Sequence, residues 1–344
     1  MDARNSARPN PSARPQSTRR NLEPGDLLDG RFLVTDVIYR GAISTVFKGE
    51  DLEDNRRAVA LKVPEKQFEV NAALFSRFQH EEDIGVRLSH PLILRFIPVR
   101  GKKSRPYAAS EFLRGRTLAE VLSAGPLGES EALKLASLVC DALQHMHERG
   151  VIHRDLKPGN IIVCDDCSIR LIDFGIALNL EGRNQTFVGF EAGTPQYMAP
   201  ERIKGRPGGP PTDIFGLGAI LYEMLTGSVP SGDPDPTVIT EARLTGDPAA
   251  PRTLNPRITP QAEEIILRAL VRDPRHRYQT AAALKADLEA PDQIEVTGLC
   301  RRLQSSTPWR RGLRRARRVA IWCLVPIVIQ GLLFLFLWRH YAKE

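Results

Sequence analysis

The 344-residue chain is 42% hydrophobic and 26% charged, which excludes an intrinsically disordered protein and leaves room for one large domain or two ordinary ones. Its formal net charge of +7 comes from its ends, because 13 arginines lie in residues 1–20 and 301–318, whereas residues 21–300 hold 33 basic and 39 acidic side chains. The mildly acidic central part lacks the electrostatic character of a nucleic-acid-binding domain, so we expect no nucleic-acid partner.

The N-terminal segment 1–25 is rich in Arg, Pro, Ser and Asn and has few apolar residues. Burial of so little apolar surface cannot compensate for the entropy lost on ordering, so we predict a disordered arm. Regular elements follow, identified by the period of their apolar residues. The predicted elements are strands at 31–38, 45–48 and 58–63 and helices at 72–88, 117–124, 130–149 and 212–227.

The stretch from Val151 to Gly175 carries the densest set of chemically useful side chains. A Pro-Gly pair opposes an α-helix there, so Asp155 and Asn160 should lie on one rigid loop. The two apolar runs that follow predict a hairpin that returns Asp173 to the side of Asn160. A carboxylate and a carboxamide supply hard oxygen ligands for Mg²⁺, which completes its coordination with waters and substrate phosphates. Asp155 would then be left to accept a hydroxyl proton.

Three motifs resemble those of the bacterial Hanks-type (eukaryotic-like) serine/threonine protein kinases. They are His153-Arg154-Asp155-Leu156-Lys157-Pro158-Gly159-Asn160, Asp173-Phe174-Gly175 and Gly193-Thr194-Pro195-Gln196-Tyr197-Met198-Ala199-Pro200-Glu201. The resemblance runs from about residue 25 to about residue 290, with the motifs in family order. It implies an α+β, two-lobed protein kinase fold over 26–290, with a small β-rich N-lobe at about 26–111 and a larger helical C-lobe at about 112–290.

The resemblance assigns the catalytic roles. Asp155 is the catalytic base, Asn160 and Asp173 hold the metal ions, and Lys157 faces the transferred γ-phosphoryl group. Thr194 would hydrogen-bond Asp155 and Lys157 and help to shape a Ser/Thr substrate site. The implied cofactors are ATP and Mg²⁺, with Mn²⁺ as an alternative, and the implied partners are protein substrates with Ser or Thr hydroxyls.

The nucleotide-binding residues also follow from the resemblance, beginning with Lys62, which would contact the α- and β-phosphates and take part in catalysis. The others are Gly41 of the phosphate loop, Val46, Ala60 and Ile162 against the base, and Glu111 and Leu113 at the hinge. Only the middle one of the three family glycines, Gly41, is present, because Tyr39 and Ser44 occupy the other two places. We expect these side chains to weaken ATP affinity without abolishing binding.

The helix predicted at 72–88 should supply the glutamate that pairs with Lys62. Counting back from the His-Pro pair after the helix selects Glu81, with Glu82 as the alternative. Choosing Glu81 places Gly85 where the family packs a bulky apolar side chain, whereas choosing Glu82 places Val86 there. A missing side chain would loosen the helix and favour an inactive position, and the sequence leaves the two registers open.

Residues 173–201 resemble the activation segment. Arg154, directly before the base, is the kind of residue that pairs with a phosphate on this segment and orders it. Thr186 is the candidate acceptor of that phosphate, which implies autophosphorylation. The alternative is an ordinary solvated loop threonine.

Two further likenesses concern structural anchors. Asp213 resembles the family aspartate that holds the catalytic-loop backbone from behind. Arg277 resembles the arginine that pairs with Glu201 in the lower lobe. We assign anchoring roles to these residues, because buried charged groups are expected to be held by hydrogen-bonding partners.

Five cysteines and the absence of a signal peptide indicate a reducing compartment without a disulfide framework. Cys164-Asp165-Asp166-Cys167 has metal-ligand spacing, but no second pair of Cys or His accompanies it in the sequence. We interpret the motif as part of a hairpin turn.

The C-terminal part predicts a membrane anchor. Beyond a basic juxtamembrane linker at 291–318, a helix over 319–338 would be about 30 Å long and would span the hydrocarbon core. It contains 13 Val, Ile, Leu or Phe residues, whose summed insertion free energy of roughly −4 to −8 kcal/mol outweighs one Gln and one Pro. The arginine-rich side should face the cytosol, so a cytoplasmic kinase domain and a short tail at 339–344 are expected. A buried core helix is the alternative.

The expected protein is a single-pass, C-terminally anchored, ATP-dependent serine/threonine kinase. The competing interpretation is a weak or inactive signalling scaffold with a kinase fold, motivated by the incomplete glycine loop and Gly85. Transfer to a small molecule is disfavoured by residues 193–201, which resemble those of peptide-binding kinases. A homodimer is left open, and the predicted span offers no small-xxx-small pattern to support it.

Overall fold

The computed structural model describes residues 21–41, 44–65, 72–173, 178–179, 195–230 and 236–304. The predicted site residues Thr186 and Thr194 lie outside these ranges, as do the predicted membrane span at 319–338 and nearly all of the predicted arm. Within the described ranges, no helix combines the length and the apolar character needed to cross a membrane.

The chain divides into two compact units. The first, called the N-terminal unit, comprises 1–79 and 96–112, and the second, called the C-terminal unit, comprises 80–95 and 113–344. Helix α1 (Ala72–Arg87) begins in the first unit and ends in the second.

An antiparallel sheet forms the N-terminal unit. Its strands, hydrogen-bonded in chain order, are β1 (Leu27–Leu28), β2 (Phe32–Arg40), β3 (Ser44–Asp51), β4 (Arg57–Pro64) and β5 (Ala108–Glu111). Burial alternates along β3 and β4, as expected for strands with one face in a core. The core includes Phe47, Val59 and Leu61, together with the edge-to-face rings of Phe32 and Tyr107 at 5.9 Å. The strands predicted from apolar alternation are confirmed.

Helices dominate the C-terminal unit. In chain order its described elements are β6 (Gly115–Thr117), α2 (Leu118–Leu122), α3 (Glu129–Glu148), β7 (Val151–Ile152), β8 (Ile161–Cys164), β9 (Ile169–Leu171), β10 (Leu178–Asn179), α4 (Pro200–Ile203), α5 (Pro210–Thr226), α6 (Pro236–Thr245), α7 (Pro251–Leu254), α8 (Pro260–Ala269), α9 (Ala281–Glu289) and α10 (Leu299–Gln304). Strands β6, β8 and β9 form one small sheet, and β7 pairs with β10.

Helix α5 is buried along most of its length, and two glycines let its neighbours approach. A Cβ atom on Gly216 would lie 3.3 Å from Cβ of Leu156, and one on Gly218 would lie only 2.7 Å from Cβ of Ala269. The helix ends at Gly227, whose φ of 70° is the left-handed conformation that favours glycine. The apolar helix predicted at 212–227 is thus confirmed, and the structure packs it against Leu156, which follows Asp155.

Gly218→Ala is expected to destabilise the protein. Alanine is the better helix former by about 1 kcal/mol, but overpacking against Ala269 should cost about 1–3 kcal/mol and outweigh that gain. Urea unfolding of the variant measures the difference. Gly128→Ala is the comparison without overpacking, since a Cβ there would have no neighbour within 4 Å and the change costs only the preference for glycine over alanine at the N-cap of α3. Equal stabilities for Gly218→Ala and the parent would mean that α8 can shift freely.

Candidate active site

Three of the predicted nucleotide-binding residues, Val46, Ala60 and Lys62, share the face of the sheet of the N-terminal unit opposite its core. Val46 pairs directly with Lys62, and Ala60 pairs with Ser110. Val46, Ala60 and Lys62 are all half-buried, whereas their chain neighbours on the other face are buried. Glu111 ends β5 on the same sheet. The strand register therefore brings an aliphatic surface and a lysine to one face of this unit.

The turn between β2 and β3 is closed tightly around Gly41. Its N–H donates to the carbonyl oxygen of Ser44 at 2.9 Å. A Cβ atom at Gly41 would lie 2.9 Å from the Tyr39 ring and 3.0 Å from the same Ser44 oxygen. Tyr39 itself is 64% exposed. Of the two residues that replace glycines in the family pattern, Tyr39 therefore packs its side chain against Gly41, whereas Ser44 contributes a backbone oxygen that any residue would have.

Helix α1 turns Glu81 inward. Glu81 is 4% exposed, as expected for the same helix face as the fully buried Ile84 and the buried Gly85, whereas Val86 is 45% exposed. Glu82 is half-buried. This burial pattern favours Glu81 over Glu82 as the functional carboxylate of the helix, and its pairing with Lys62 stays a prediction.

The catalytic loop holds the expected base, Asp155, in a network of short contacts. Lys157 Nζ lies 2.8 Å from Asp155 Oδ2. The amide nitrogen of Asn160 donates to the Asp155 carbonyl oxygen at 2.8 Å and to its carboxylate at 3.3 Å. The Asp155 side chain is only 11% exposed, and that of Lys157 is 29% exposed. The loop therefore fixes a carboxylate beside an ammonium group at a surface that a substrate can reach.

A single turn of 3₁₀ helix, Pro158–Asn160, builds this geometry. The expectation that the Pro-Gly pair opposes an α-helix agrees with this short turn, which starts with Pro158 because the first helical position needs no N–H. The Asn160 N–H closes the turn onto the Lys157 carbonyl at 2.9 Å.

Asp213 anchors the loop from behind. Its carboxylate accepts the backbone N–H groups of His153 at 2.9 Å and Arg154 at 2.8 Å, and it lies 2.8 Å from His147 Nε2. Arg154 has a φ of 68°, a left-handed conformation that costs a non-glycine residue about 1–2 kcal/mol. The two backbone bonds to Asp213 stabilise that conformation, and the loop's shape therefore depends on a residue about 60 positions away in α5.

The pH dependence of stability should reveal the Asp213 carboxylate. Burial raises its pKa, but the hydrogen bond and charge of His147 and the Arg154 N–H bond outweigh burial and hold the pKa below its usual value. A depressed folded-state pKa contributes stability above the unfolded value of about 3.9, and this contribution is lost as the pH falls through the folded pKa. Asp213→Asn should lower the free energy of unfolding by about 1–3 kcal/mol at neutral pH, because it mismatches buried donors.

Urea unfolding of both proteins from neutral pH to below pH 4 measures this difference. The difference between parent and Asp213→Asn should shrink at the acid end. A constant difference across the range would contradict a depressed pKa at Asp213.

The β8–β9 hairpin joins the two predicted metal ligands, Asn160 and Asp173. Ile161 pairs with Leu171, and the N–H of Ile172 donates to the Asn160 carbonyl at 2.9 Å, which places Asp173 directly beyond that contact. The hairpin expected from the sequence is thus confirmed. Because the Asn160 amide nitrogen is committed to Asp155, its carboxamide oxygen is the atom that can ligate a cation. An amide oxygen and a carboxylate form a donor set that suits Mg²⁺ or Mn²⁺.

A cavity of about 350 Å³ opens beside Lys157. It is lined by residues of α2 and of the catalytic loop, by Gln196 and Tyr197, and by Glu223 of α5. The Tyr197 hydroxyl donates to Glu223 at 2.6 Å, and burial raises the pKa of that carboxyl despite this bond.

Arg154 lies near a second arginine, Arg202. Burial and the positive charge of Arg202 lower the pKa of Arg154 to about 10, although Asp213 opposes this shift. Burial also lowers the pKa of Arg202. In the described part of the chain, the Nε atoms of both arginines are buried without a hydrogen-bond partner. Two half-buried guanidinium groups, each with an Nε–H donor that lacks an acceptor, can bind an anion between them by charge-assisted hydrogen bonds.

Known proteins share this arrangement of motifs. Residues 32–288 match the family model described as the protein kinase domain. The chain belongs to the protein kinase family. It is 32% identical over 282 residues to serine/threonine-protein kinase PknB of Mycolicibacterium smegmatis, covering 78% of this chain and 45% of that protein. It is 34% identical over 275 residues to serine/threonine-protein kinase PknL of Mycobacterium tuberculosis, covering 79% of this chain and 68% of that protein.

Serine/threonine-protein kinase PrkC of Bacillus subtilis is 32% identical over 266 residues, with 77% of this chain and 41% of PrkC covered. The chain therefore spans less than half the length of PknB and PrkC. Among solved structures, the PknI kinase domain of M. tuberculosis is similar, with a TM-score of 0.63, 22% identity, and coverage of 79% of this chain and 100% of that one. The expected α+β kinase fold, with a β-rich and a helical part, is confirmed.

The described residues that the kinase resemblance selected are divided between the two units. Gly41, Val46, Ala60, Lys62 and Glu111 belong to the N-terminal unit. The other described site residues, all in the C-terminal unit, are Glu81, Leu113, Arg154, Asp155, Lys157, Asn160, Ile162 and Asp173. The roles of these residues stay predictions.

Sequence reasoning missed three residues of this site. His147 contacts Asp213, Glu223 lines the cavity beside Lys157, and Arg202 adjoins Arg154. A signal existed for Glu223, since an acidic side chain interrupts an otherwise apolar helix. Nothing local marked the other two residues.

Proposed function

We propose that this chain is a serine/threonine protein kinase that transfers the γ-phosphoryl group of ATP to Ser and Thr hydroxyls of proteins. The observation that carries the proposal is the catalytic loop, where Asp155 lies 2.8 Å from Lys157 and is held by Asn160. Relatives named serine/threonine-protein kinases, 32–34% identical to this chain, support the same reaction. Mg²⁺ or Mn²⁺ bound to ATP would neutralise phosphate charge as the bond to the γ-phosphoryl group breaks.

The residues of the chain would divide the work as follows. Asp155 orients the substrate hydroxyl and accepts its proton, while Lys157 offsets negative charge on the transferred group. Lys62 would contact the α- and β-phosphates, and Asn160 and Asp173 would hold the metal ions. Most of the acceleration then comes from positioning and charge, because phosphoryl transfer needs little covalent help from the protein.

The cavity beside Lys157 supports a peptide substrate. Its lining combines the catalytic loop with Gln196 and Tyr197, which belong to the segment that resembles the substrate-binding segment of peptide-directed kinases. Its volume of about 350 Å³ lies in the range of small binding pockets. The seated part of the substrate would be a few residues around the acceptor hydroxyl.

Regulation would act through the arginine pair. A phosphate on Thr186 of the activation segment would give Arg154 and Arg202 the anion that their buried donors suit. Two charge-assisted bonds to one phosphate would order the segment next to Asp155. Autophosphorylation at Thr186, with loss of the phosphate in Thr186→Ala, is the result expected by mass spectrometry after incubation with ATP.

Attachment to a membrane is part of the same proposal. The apolar residues 319–338 follow a basic linker, which supports a single-pass anchor with the kinase domain on the cytoplasmic side. Carbonate extraction of membranes from cells that express the full chain should leave it in the pellet. The chain without residues 319–338 should be released.

Transfer of labelled phosphate tests the main proposal. The full chain, purified in detergent, is incubated with ATP, Mg²⁺ and a generic Ser/Thr protein substrate. Phosphoserine or phosphothreonine should form, and its formation should be lost in Lys62→Met. Labelling that persists in Lys62→Met would point to a contaminating kinase.

One observation favours a second function, a non-catalytic kinase-fold scaffold. The Tyr39 ring packs against Gly41, where the family pattern keeps the backbone open to phosphate. A folded chain that binds ATP in a titration but transfers no phosphate would support this scaffold. Transfer lost in Lys62→Met would exclude it.

A further inference from the structure

The β8–β9 hairpin carries two cysteines that the proposed phosphate transfer does not use. Cys164 is the last residue of β8, and Cys167 follows in the turn before β9. Asp165 and Asp166 separate them. Neither cysteine is in a disulfide in this structure.

The turn brings the two cysteines within disulfide range. The Cys167 N–H donates to the Cys164 carbonyl at 3.0 Å, so these residues are the first and fourth of a β-turn. The Cys164 N–H donates to the Ser168 carbonyl at 2.9 Å and closes the hairpin behind it. The Cα atoms at the ends of a β-turn lie within about 7 Å, and a disulfide needs Cα atoms about 4.4–6.8 Å apart.

Cys167 occupies a position that favours glycine. Its φ is 62°, in the left-handed region, as expected for the residue that follows a type I turn in a three-residue hairpin loop. Glycine or asparagine adopts this conformation with less strain. A strained residue held by the surrounding structure is a reason to look for a function.

The solvent exposure of the cysteines and the contacts that hold the turn both favour a reaction there. Cys167 is exposed and Cys164 is half-buried, whereas Cys140 in α3 is fully buried, and burial raises the pKa of its thiol. The turn is also held in place, because the Asp165 N–H donates to the Arg114 carbonyl at 3.3 Å. Gly115 pairs with Cys164 so closely that a Cβ there would collide with the β8 backbone.

We propose that Cys164 and Cys167 form a redox modification site that closes to an intramolecular disulfide by exchange with a small disulfide such as oxidised glutathione. The Cys167 thiol loses its proton, attacks one sulfur of the oxidant and releases one glutathione thiolate, which gives a mixed disulfide. The Cys164 thiol then loses its proton and displaces the second glutathione. Both cysteine sulfurs are oxidised, one glutathione disulfide is reduced to two thiols, and the two protons go to the released thiolates.

A metal site is the weaker use of this pair. Among the described residues, no group of three or more His, Cys, Asp or Glu side chains is arranged to hold a metal ion. Two thiolates alone leave a tetrahedral zinc ion half-ligated. Disulfide exchange needs only the two sulfurs that the turn supplies.

The disulfide would form in the hairpin that joins the two proposed metal ligands. Strand β8, which ends at Cys164, starts one residue after Asn160. Strand β9, which follows Cys167, ends two residues before Asp173. A cross-link at the turn would therefore restrain the hairpin that joins the two proposed metal ligands. The modification itself does not depend on phosphate transfer.

Alkylation and peptide mapping test the site in the full chain. The chain is equilibrated in buffers of increasing oxidised-to-reduced glutathione ratio with a metal chelator, quenched with acid, alkylated and digested with trypsin. Trypsin cuts after Arg154 and Arg170 and leaves Lys157-Pro158 intact, so peptide 155–170 contains Cys164, Cys167 and no other cysteine. At equal concentrations of the two glutathione forms, most of this peptide should lack two hydrogens and carry no alkyl group.

Single variants separate the outcomes. In Cys164→Ser and in Cys167→Ser the reaction should stop at a mixed disulfide with one bound glutathione. Cys300→Ser should leave formation of the intramolecular disulfide unchanged. The folded chain should close at a lower oxidant ratio than the chain denatured in urea, because the turn preorganises the pair. The proposal is overturned if peptide 155–170 stays doubly alkylated, stops at mixed disulfides, links to a second chain, or closes no more readily than in urea. Stoichiometric zinc that blocks alkylation of both thiols before chelation would overturn it in favour of a metal site.

Discussion

Asp155→Asn is expected to reduce phosphate transfer by about 10²–10⁴-fold, the usual contribution of a positioned general base. The variant keeps the size of the side chain and leaves the Asn160 bond to the carbonyl oxygen of residue 155 in place. It removes the carboxylate that lies 2.8 Å from Lys157 and would take the hydroxyl proton. The loss should appear in kcat, with the KM for ATP little changed, because no nucleotide contact is assigned to this residue.

Initial rates of labelled phosphate transfer at saturating ATP measure the effect. Asp292→Asn is the matched control, since this aspartate is exposed and far along the chain from the loop. Thermal unfolding of both variants should stay close to that of the parent, which separates lost chemistry from lost folding. Full activity in Asp155→Asn would contradict the assignment of the base and, with it, the proposed mechanism.

Much of the fold could be predicted because its elements carry their signal locally. The alternation of apolar residues along β3 and β4 reports one face in a core, and the register then places Val46 and Lys62 together. Asp155, Asn160 and Asp173 were found for a similar reason, since all three lie within 19 consecutive residues and one hairpin sets their separation. Short-range geometry is readable from spacing.

The remaining features depend on contacts between distant parts of the chain. Arg202 lies 48 positions from Arg154, and Ala269 lies 51 positions from Gly218. No local sequence pattern therefore predicts that the members of either pair are neighbours. The register of α1 was ambiguous for another reason, because adjacent glutamates fit the count from the following His-Pro pair equally well. Burial of Glu81 together with Gly85 and exposure of Val86 carry the information that favours one register.

Arg277→Met is expected to lower the free energy of unfolding by about 3–5 kcal/mol, the usual cost of leaving a buried charge without its partner. The Arg277 side chain is fully buried and pairs with both carboxylate oxygens of Glu201 at 2.7 and 2.9 Å. Its other N–H groups reach the carbonyl oxygens of Pro211, Val271 and Arg272 at 2.6–3.0 Å. All five guanidinium donors therefore have acceptors, and methionine would remove every one of these donors, leaving the Glu201 carboxylate with the Thr212 hydroxyl at 2.9 Å.

Arg275 provides a matched control two residues away. It pairs with Asp273 at the same distance of 2.7 Å, but its side chain is 83% exposed. Because water can hydrogen-bond Asp273 once the exposed arginine is removed, the free energy of unfolding of Arg275→Met, measured in urea, should equal that of the parent within error. The free energy of unfolding of Arg277→Lys should lie between those of Arg277→Met and the parent, since the three N–H donors of lysine cannot serve five acceptors. Equal effects of Arg275→Met and Arg277→Met would show that burial does not set the strength of the pair, whereas a large effect at Arg277 alone would identify the Glu201 contact as a main support of the segment that follows Tyr197.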